Sequence, residues 1–436
     1  MKGFILAGAV AALAFATPAK AADLGGNCCA DLEERVAELE ATVARKGNRK
    51  VSLTVYGQVN AGILWADADA SGHAYAYAED GGKVLLDWKS DTVRASGSDK
   101  RIFDNNVSES RFGFKGEATI SKDVKAGFVM EIGVGEKVDD GDVARNVSVR
   151  HAAWFIQSAQ LGRLTVGKTG QATDDIDTIM IANVGAAVKM LSVEPVAGQY
   201  IGTDLPFDGG KRNVARYDSP SIAGFVVSAS WGDEDAWDVA LRYAGELGQF
   251  KVAGGAGYRE QNGSFLGADE KQTGWLANAG IMHTPSGIFV QAAYGDIDTG
   301  QSSWGGVAPV GTPPSYDIGA KGWHLLGGIE WKAISAGKTT LFGEYADLDA
   351  DRNRTYDCFG GDAACGTRES LGLKWWGVGV VQAIDAAAMD FYITYRQYDA
   401  SADLAYGAVW DDGEAVFGAK GDVDAQVFQA GARIKF

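Results

Sequence analysis

The sequence predicts an all-β protein in which 16 antiparallel strands close into a barrel that spans a membrane. From Val51 onward, short segments alternate apolar and polar residues with the period of two that is typical of strands. The candidate segments number 16, which is an even count, and short connections alternate with long ones. Exported barrels combine an even number of strands with short turns at one end and longer loops at the other.

The candidate strands cover most of the chain after residue 50. They are 51–66, 108–120, 124–134, 147–158, 161–169, 211–218, 223–232, 236–246, 249–259, 273–283, 287–297, 321–333, 338–348, 367–379, 387–398 and 425–436. Long loops rich in Asp, Gly and Ser are expected at 67–107, 298–320 and 399–424. The longest connection without a strand pattern, 170–210, joins the fifth and sixth strands. A connection of this length in a compact domain indicates either a functional loop or a wrong strand assignment.

The alternation predicts which face of each strand meets lipid. In the segment 236–246, Trp237 and Val239 share one face, while Asp238 and Arg242 share the other. A soluble sandwich would also alternate, but with its apolar face inside. Aromatic residues at strand ends favour the barrel, because such residues form girdles at the two membrane interfaces. They are Trp65, Trp231, Trp331, Tyr294 and Tyr395.

The N-terminus has the features of a signal peptide. A basic start at Lys2 precedes an apolar stretch from Gly3 to Ala16, and Ala19-Lys20-Ala21 fits a cleavage site, so residues 1–21 are expected to be removed. The alternative is an uncleaved anchor, although a membrane-spanning helix needs about 20 apolar residues. Cleavage removes two lysines and no acidic residue, which lowers the formal net charge from −17 to −19.

Composition excludes several functional classes. An acidic chain is a poor nucleic-acid binder, because phosphate binding needs clustered cations. The four histidines have no second ligand at metal-binding spacing, and no HExxH motif or nucleophile–base pair stands out. We therefore expect no metal, no cofactor and no enzymatic activity.

Residues 22–50 are predicted to form a short periplasmic region. The segment 31–44 has a heptad spacing of apolar residues, which indicates a short coiled coil and hence an oligomer. A single amphipathic helix packed on the body is the alternative. The basic junction 45–50 follows. The heptad residues are Leu32, Val36, Leu39 and Val43.

Four cysteines follow the export signal. Cys358 and Cys365 bracket a short loop rich in Gly and Asp, and the oxidising compartment predicts a disulfide between them. Cys28 and Cys29 are adjacent, and no pairing is predicted for them.

Five segments, in order, resemble a known family. The chain is similar to the general porins of outer membranes, in particular the trimeric porins of alphaproteobacteria, over residues 51–436. The segments are YGQVNAGILW (56–65), SRFGFKGE (110–117), LGRLTVGKTG (161–170), VARYDSP (214–220) and QAGARIKF (429–436).

The resemblance implies that 170–210 folds into the lumen as a constriction loop. Its acidic residues Asp174, Asp175 and Asp177 would then face basic side chains on the barrel wall. Arg111 matches the wall arginine of the family, and Arg150 and Arg216 match two further basic positions. The segment lacks the PEFGG-like signature of the family, which would indicate the carboxylates that face the pore.

Residue parity supports part of this assignment. Arg111 and Lys115 alternate with two phenylalanines, and Arg212 shares a face with Arg216 opposite Tyr217. A charge facing lipid near the midplane costs about 2–4 kcal/mol, so these cations should face the lumen. The alternative is that the arginines only pair with nearby carboxylates in a filled lumen.

The resemblance implies an outer-membrane channel for passive diffusion of small hydrophilic solutes and ions. It also implies a homotrimer surrounded by outer-membrane lipid, and the N-terminal helix is a candidate for contact with the cell wall. Two other classes remain open on the sequence alone, a structural tether or adhesin anchored by the barrel, and a barrel enzyme.

Overall fold

The computed structural model describes residues 51–80, 83–139, 142–192, 207–263, 270–299, 315–358, 363–410 and 413–436. The predicted signal peptide, coiled coil, basic junction and Cys28–Cys29 pair lie outside these ranges. Within them, no helix is long and apolar enough to cross a membrane.

Eighteen antiparallel strand segments form one closed sheet. They are β1 Thr54–Asp80, β2 Lys83–Lys89, β3 Val93–Asp104, β4 Arg111–Ser121, β5 Val124–Asp139, β6 Asp142–Ser158, β7 Gly162–Gly170, β8 Lys211–Asp218, β9 Phe225–Gly232, β10 Trp237–Leu247, β11 Phe250–Gly263, β12 Glu270–His283, β13 Ile288–Thr299, β14 Ser315–Ile334, β15 Gly337–Cys358, β16 Ala363–Ile384, β17 Met389–Trp410 and β18 Gly413–Lys435. Within the described ranges, three 3₁₀ turns accompany them, at Asn106–Ser108, Asp233–Asp235 and Asp385–Ala387.

The segments make 16 barrel strands, because β2, β3 and β4 follow one another along β1. The upper part of β1 pairs with β2, its middle with β3 and its first residues with β4. On its other edge β1 pairs with β18 from Gln58 to Asp80, which closes the barrel. The predicted fold class and strand order are therefore confirmed.

Two of the three predicted long loops are wrong. Region 67–107 is mostly strand, and so is region 399–424, where β17 runs to Trp410 and β18 starts at Gly413. In region 298–320, β14 begins at Ser315, and residues 300–314 lie outside the described part. Much of these regions consists of Asp, Gly and Ala, which are depleted in strands, and yet the backbone ladder continues through them.

The two ends of the barrel differ. Seven connections at one end, called here the short-turn end, are tight, such as 122–123, 248–249 and 335–336. Strand length also varies around the barrel. β7, β8 and β9 have 8–9 residues, whereas β1 has 27 and β14 to β18 have 20–23. About 9–11 tilted residues suffice to span a bilayer, so the long strands form a tall wall that extends beyond it.

A belt of aromatic side chains runs along the outer face, on the side away from the short-turn end. Its members are direct or diagonal cross-strand neighbours, and five ring pairs have centroid separations of 4.7–5.6 Å. This is the girdle that barrels place at a membrane interface. From β9 round to β1 it comprises Trp231, Trp237, Tyr258, Trp275, Tyr294, Trp323, Tyr345, Trp376, Tyr395, Phe428 and Trp65.

The tall wall carries apolar residues on its inner face as well. Trp376 faces outward with 47% of its surface exposed, whereas the adjacent Trp375 faces inward and is only 2% exposed. Inward Leu326, Leu373 and Tyr392 belong to the same buried cluster. The simple rule of apolar outside and charged inside therefore fails here, because another part of the chain covers this inner face.

The outward orientation of Leu241 gives a first prediction. Leu241→Arg should destabilise the folded barrel by about 2–4 kcal/mol, because a charge would face lipid. Leu241→Met, the matched control, should change stability by less than about 1.5 kcal/mol. Urea unfolding of the protein refolded into lipid vesicles measures both. Equal stability of the two variants would place Leu241 away from lipid.

Candidate functional site

The described parts of the segment 171–210, which are 171–192 and 207–210 and are called here the inserted segment, lie inside the barrel. The inserted segment contributes Val184, Ala187 and Met190 to the buried cluster that covers the inner face of the tall wall. This explains its apolar sequence, which would be costly in a water-exposed loop. The segment leaves β7 at Gly170, where Asp174 folds back so closely that a Cβ would clash with its carboxylate.

Asp238 anchors the start of the inserted segment. Its carboxylate accepts hydrogen bonds from the backbone N–H of Ala172 (3.0 Å) and Thr173 (2.6 Å), and from the Thr173 hydroxyl (2.7 Å). Arg216 donates to the carbonyl of Gln171 (2.9 Å). One carboxylate and one guanidinium therefore satisfy backbone groups that would otherwise be unpaired.

Wall side chains bind the backbone of the segment farther along. Asn278 donates to the carbonyl of Ile176 (2.8 Å), and Gln291 accepts from the N–H of Ile181 (3.0 Å). The wall therefore replaces the backbone partners that regular structure would supply. Three further contacts are Arg433 to the Gly185 carbonyl, Arg396 to the Ala187 carbonyl and the Leu191 N–H to His324.

His324, Glu344 and Arg396 form a buried chain behind the segment. His324 Nδ1 accepts from the Leu191 N–H (3.1 Å), so its proton lies on Nε2, which donates to Glu344 (3.1 Å). The other oxygen of Glu344 accepts from Arg396 Nε (2.5 Å). Removing one member of such a buried pair typically costs about 3–5 kcal/mol, so this chain fixes the segment firmly.

Inward-facing glycines make room for the segment. A Cβ on Gly257 of β11 would meet the side chain of Thr173, one on Gly280 of β12 would come within 2.9 Å of Ile181, and one on Gly295 of β13 would meet the ring of Phe207. Three neighbouring strands therefore have no side chain at the positions where the inserted segment crosses them, and the segment can approach the wall closely.

The space left open is a cavity of about 780 Å³ between the inserted segment and strands β4 to β8. Its lining is mostly polar, and five carboxylates and five cations contribute to it. The carboxylates are Glu109, Glu131, Asp174, Asp175 and Asp208, and the cations are Arg111, Arg150, Lys189, Lys211 and Arg433.

On the wall side, arginines and glutamates neutralise one another. Arg150 binds Glu109 and also Glu131, with 2.7 Å between Nε and Oε1, and Arg111 lies 3.9 Å from Glu131. A register shift in β6 occurs here, since Glu131 pairs with His151 and the next residue pairs with Val149. The extra residue lets both Arg150 and His151 line the lumen.

On the side of the inserted segment, two carboxylates share one ammonium. Lys211 Nζ lies 2.9 Å from Asp174 and 3.7 Å from Asp175. Burial, together with the charge of Asp175, raises the pKa of Asp174 to about 6, against the opposing effect of Lys211. Asp175 adopts a left-handed backbone (φ 64°), which aspartate tolerates, and 61% of its side chain is exposed.

The structure brings together four of the eight residues predicted for the site, Asp174, Asp175, Arg111 and Arg150. Asp177 is buried behind the cavity with Lys189 (3.0 Å), and Arg216 pairs with Asp218 (2.8 Å). The remaining two, Lys115 and Arg212, do not belong to the described lining of this cavity.

Sequence analysis missed several lining residues. Lys211 directly follows the long connection and could have been found as its closing cation. Glu131 lies on an inward position of β5, near both arginines, so parity could have identified it. Arg433 alternates with Ile434 in β18, so parity could have identified it as well, whereas Glu109 precedes β4 and carries no comparable signal.

The other chemical expectations concern metals and cysteines. In the described ranges, no group of three or more His, Cys, Asp or Glu is arranged to hold a metal ion. The β15–β16 ladder places Cys358 opposite Ala363 and Cys365 opposite Tyr356. The side chains of both cysteines lie outside the described part, so their disulfide stays a prediction.

Comparison with known proteins gives one family match. A family model described as Gram-negative porin matches residues 7–433. A search of curated protein sequences returns no match. Among solved structures, a loop L8 deletion mutant of OmpT, an outer membrane protein of Vibrio cholerae, has 15% identity and a TM-score of 0.49, over 89% of this chain and 100% of that chain.

Two further solved structures are similar at the same level. An anion-selective porin from Comamonas acidovorans has 13% identity and a TM-score of 0.45, over 88% of this chain and 100% of its own. OmpF of Salmonella typhi in complex with daunomycin has 13% identity and a TM-score of 0.42, over 87% and 99%.

Proposed function

The chain belongs to the Gram-negative porin family, a family of outer-membrane channels, and we propose that the inserted segment determines what passes through it. The family does not favour a structural tether or a barrel enzyme. The observation that carries the proposal is the charge-lined cavity between the inserted segment and strands β4 to β8. Stepwise single-channel conductance of the purified protein in planar bilayers tests it, and its absence would refute it.

The cavity suits small hydrophilic solutes. Positively and negatively charged hydrogen-bonding groups line it, so a polar solute can exchange its hydrating water for contacts with the wall. An apolar solute would displace bound water without replacing those hydrogen bonds, so its passage should be slow. The apolar residues of the inserted segment do not offer it a route, because they are buried against the tall wall.

The balance of charge favours cations. Two lining cations have their partners behind the cavity, Lys189 with Asp177 (3.0 Å) and Arg433 with Asp390 (2.9 Å). The other three cations of the lining are fewer than its five carboxylates, so negative charge is in excess. The most exposed of these carboxylates is Asp175, so it is the group that a passing ion meets first.

We predict that Asp175→Asn lowers the preference for cations. The change removes the exposed charge and leaves Lys211 matched to Asp174 alone. The measurement is the reversal potential in a KCl gradient, which should move toward the chloride equilibrium potential. Lys211→Met should move it in the opposite direction, because both carboxylates then lack their ammonium.

One control variant and one pH measurement accompany this selectivity test. Asp347→Asn alters a carboxylate above the aromatic belt on the outer face and should leave the reversal potential unchanged. Acidification through about pH 6 protonates Asp174, removes one negative charge, and should also reduce cation preference. An unchanged reversal potential in both cavity variants would show that these groups do not face the permeating ions.

We also propose that the channel is a homotrimer. The aromatic belt extends from β9 round to β1, whereas β3 and β6 present exposed aliphatic residues such as Ile102, Val147 and Val149. The barrel wall is also lowest nearby, at β7 to β9. This face lacks the aromatic girdle that is typical of a lipid interface. It is therefore suited to contact with other copies of the chain.

A matched pair of substitutions tests this interface. Ala152→Trp places a large ring on the outer face of β6 and should weaken the trimer, because overpacking a close contact costs about 1–3 kcal/mol. Ala292→Trp makes the same change on the outer face of β13, within the aromatic-belted side, and should leave the trimer intact. Light scattering in mild detergent reports both. Trimers of equal stability would exclude β6 from the interface.

A further inference from the structure

We propose that the lumen contains a second site, which binds a small oxyanion such as sulfate or a phosphate group. It lies between the constriction and the short-turn end, on the inner face of β1 and β4 to β7. The proposal rests on the water-filled lumen of the proposed function, but not on the selectivity of the constriction.

The site is a cavity of about 500 Å³, which shares only His151 with the lining of the cavity beside the inserted segment. Lys115 and Arg163 carry its positive charge, and Tyr56 and Phe155 are aromatic residues beside them. The other polar side chains of the lining are those of Ser52, Thr54, Glu117, His151 and Thr169. Cations and hydroxyl donors in one cavity are the groups that bind oxyanions.

Each basic residue lies over an aromatic ring. Lys115 Nζ is 5.3 Å from the centroid of Tyr56, and the guanidinium carbon of Arg163 is 3.8 Å from that of Phe155. Arg163 Nε donates to Thr165 (3.1 Å), which leaves its two terminal nitrogens available for a ligand. Stacking on a ring restricts the side chain and thereby reduces the entropy lost when an anion binds.

Neither cation has a carboxylate partner among the described residues. Glu117, the carboxylate of this cavity, is bound by Lys125 at 2.7 Å. Asp218 is opposite Arg163 in the β7–β8 ladder, but Arg216 binds it with Nε and Nη2 at 3.0 and 2.8 Å. The local carboxylates are therefore matched already, and Lys115 and Arg163 supply two surplus positive charges.

The chemistry of the two cations favours an oxyanion over chloride. A guanidinium presents parallel N–H groups that match two oxygens of a sulfate or phosphate, and an ammonium adds a point charge. The Thr54 hydroxyl can donate to a third oxygen, whereas the Ser52 hydroxyl already donates to the carbonyl of Glu117 (3.1 Å). A spherical halide would use only part of this arrangement. The lumen thus combines a constriction with surplus carboxylates and a vestibule with surplus cations.

Sulfate is the probe, because it stays divalent over the whole working pH range. Channels of known orientation in planar bilayers are recorded at constant ionic strength while sulfate replaces chloride on one side. We expect a saturable, sulfate-dependent change in single-channel current with excess noise. Addition at the short-turn side should need severalfold less sulfate than addition at the other side.

Substitutions locate the effect. Lys115→Met combined with Arg163→Met should raise the half-saturating sulfate concentration about tenfold or more, through loss of two charge-assisted contacts. Arg163→Lys keeps the charge but loses the paired N–H groups, so its half-saturating sulfate concentration should lie between those of the wild type and the double variant. Lys332→Met, the matched control, removes a lysine at the same end of the barrel in β14 and should leave the response unchanged.

The outcomes separate this site from the proposed function. A conducting wild-type channel with no saturable sulfate response, or with the same response in the double variant, would overturn the oxyanion site. Chloride conductance of the double variant shows that it is folded and inserted. Absence of any stepwise conductance would instead refute the channel itself.

Discussion

The structure depends on hydrogen bonds between wall side chains and the backbone of the inserted segment. A segment without regular secondary structure carries N–H and C=O groups that must find partners when buried. Asp238, Asn278, Gln291, His324 and Arg396 provide them from five different barrel strands. Without these contacts the segment could not lie against the wall, and the lumen would have a different shape.

Several features of the barrel follow from this placement. The tall wall carries apolar residues on its inner face as well as its outer face, because the inserted segment covers its inner side. Glycines on β11, β12 and β13 give the segment room to approach. The open cavity is consequently displaced toward β4 to β8, where the arginines and glutamates of the wall meet Asp174, Asp175 and Lys211. Selectivity in this account arises from a small excess of carboxylates within a nearly balanced set of charges.

Much of the barrel could be predicted from the sequence because its physical cause is local. The alternation of Arg111 with Phe112 and Phe114 arises because one face of the strand meets the aqueous lumen and the other meets lipid. The length and acidity of 170–210 likewise indicated an inserted loop. Strand ends in regions 67–107 and 399–424 could not be predicted, because above the membrane a strand needs no apolar face.

The composition of the site was less accessible from sequence. Asp177 is two residues from Asp175, yet it faces away, because the segment is irregular and has no period from which parity could be read. The register shift at Arg150 and His151 changes the face of one residue without any sequence signal. Glu109 and Arg433 line the same cavity only because the barrel closes β18 onto β1.

The most direct test of the account is single-channel conductance of a variant that lacks residues 178–192. This deletion removes most of the described inserted segment while keeping Asp174, Asp175 and the anchors at Asp238. The account predicts severalfold larger conductance and entry of larger sugars into vesicles, because the tall wall would then line an open lumen. Unchanged conductance in a folded, inserted barrel would contradict the claim that this segment narrows the channel.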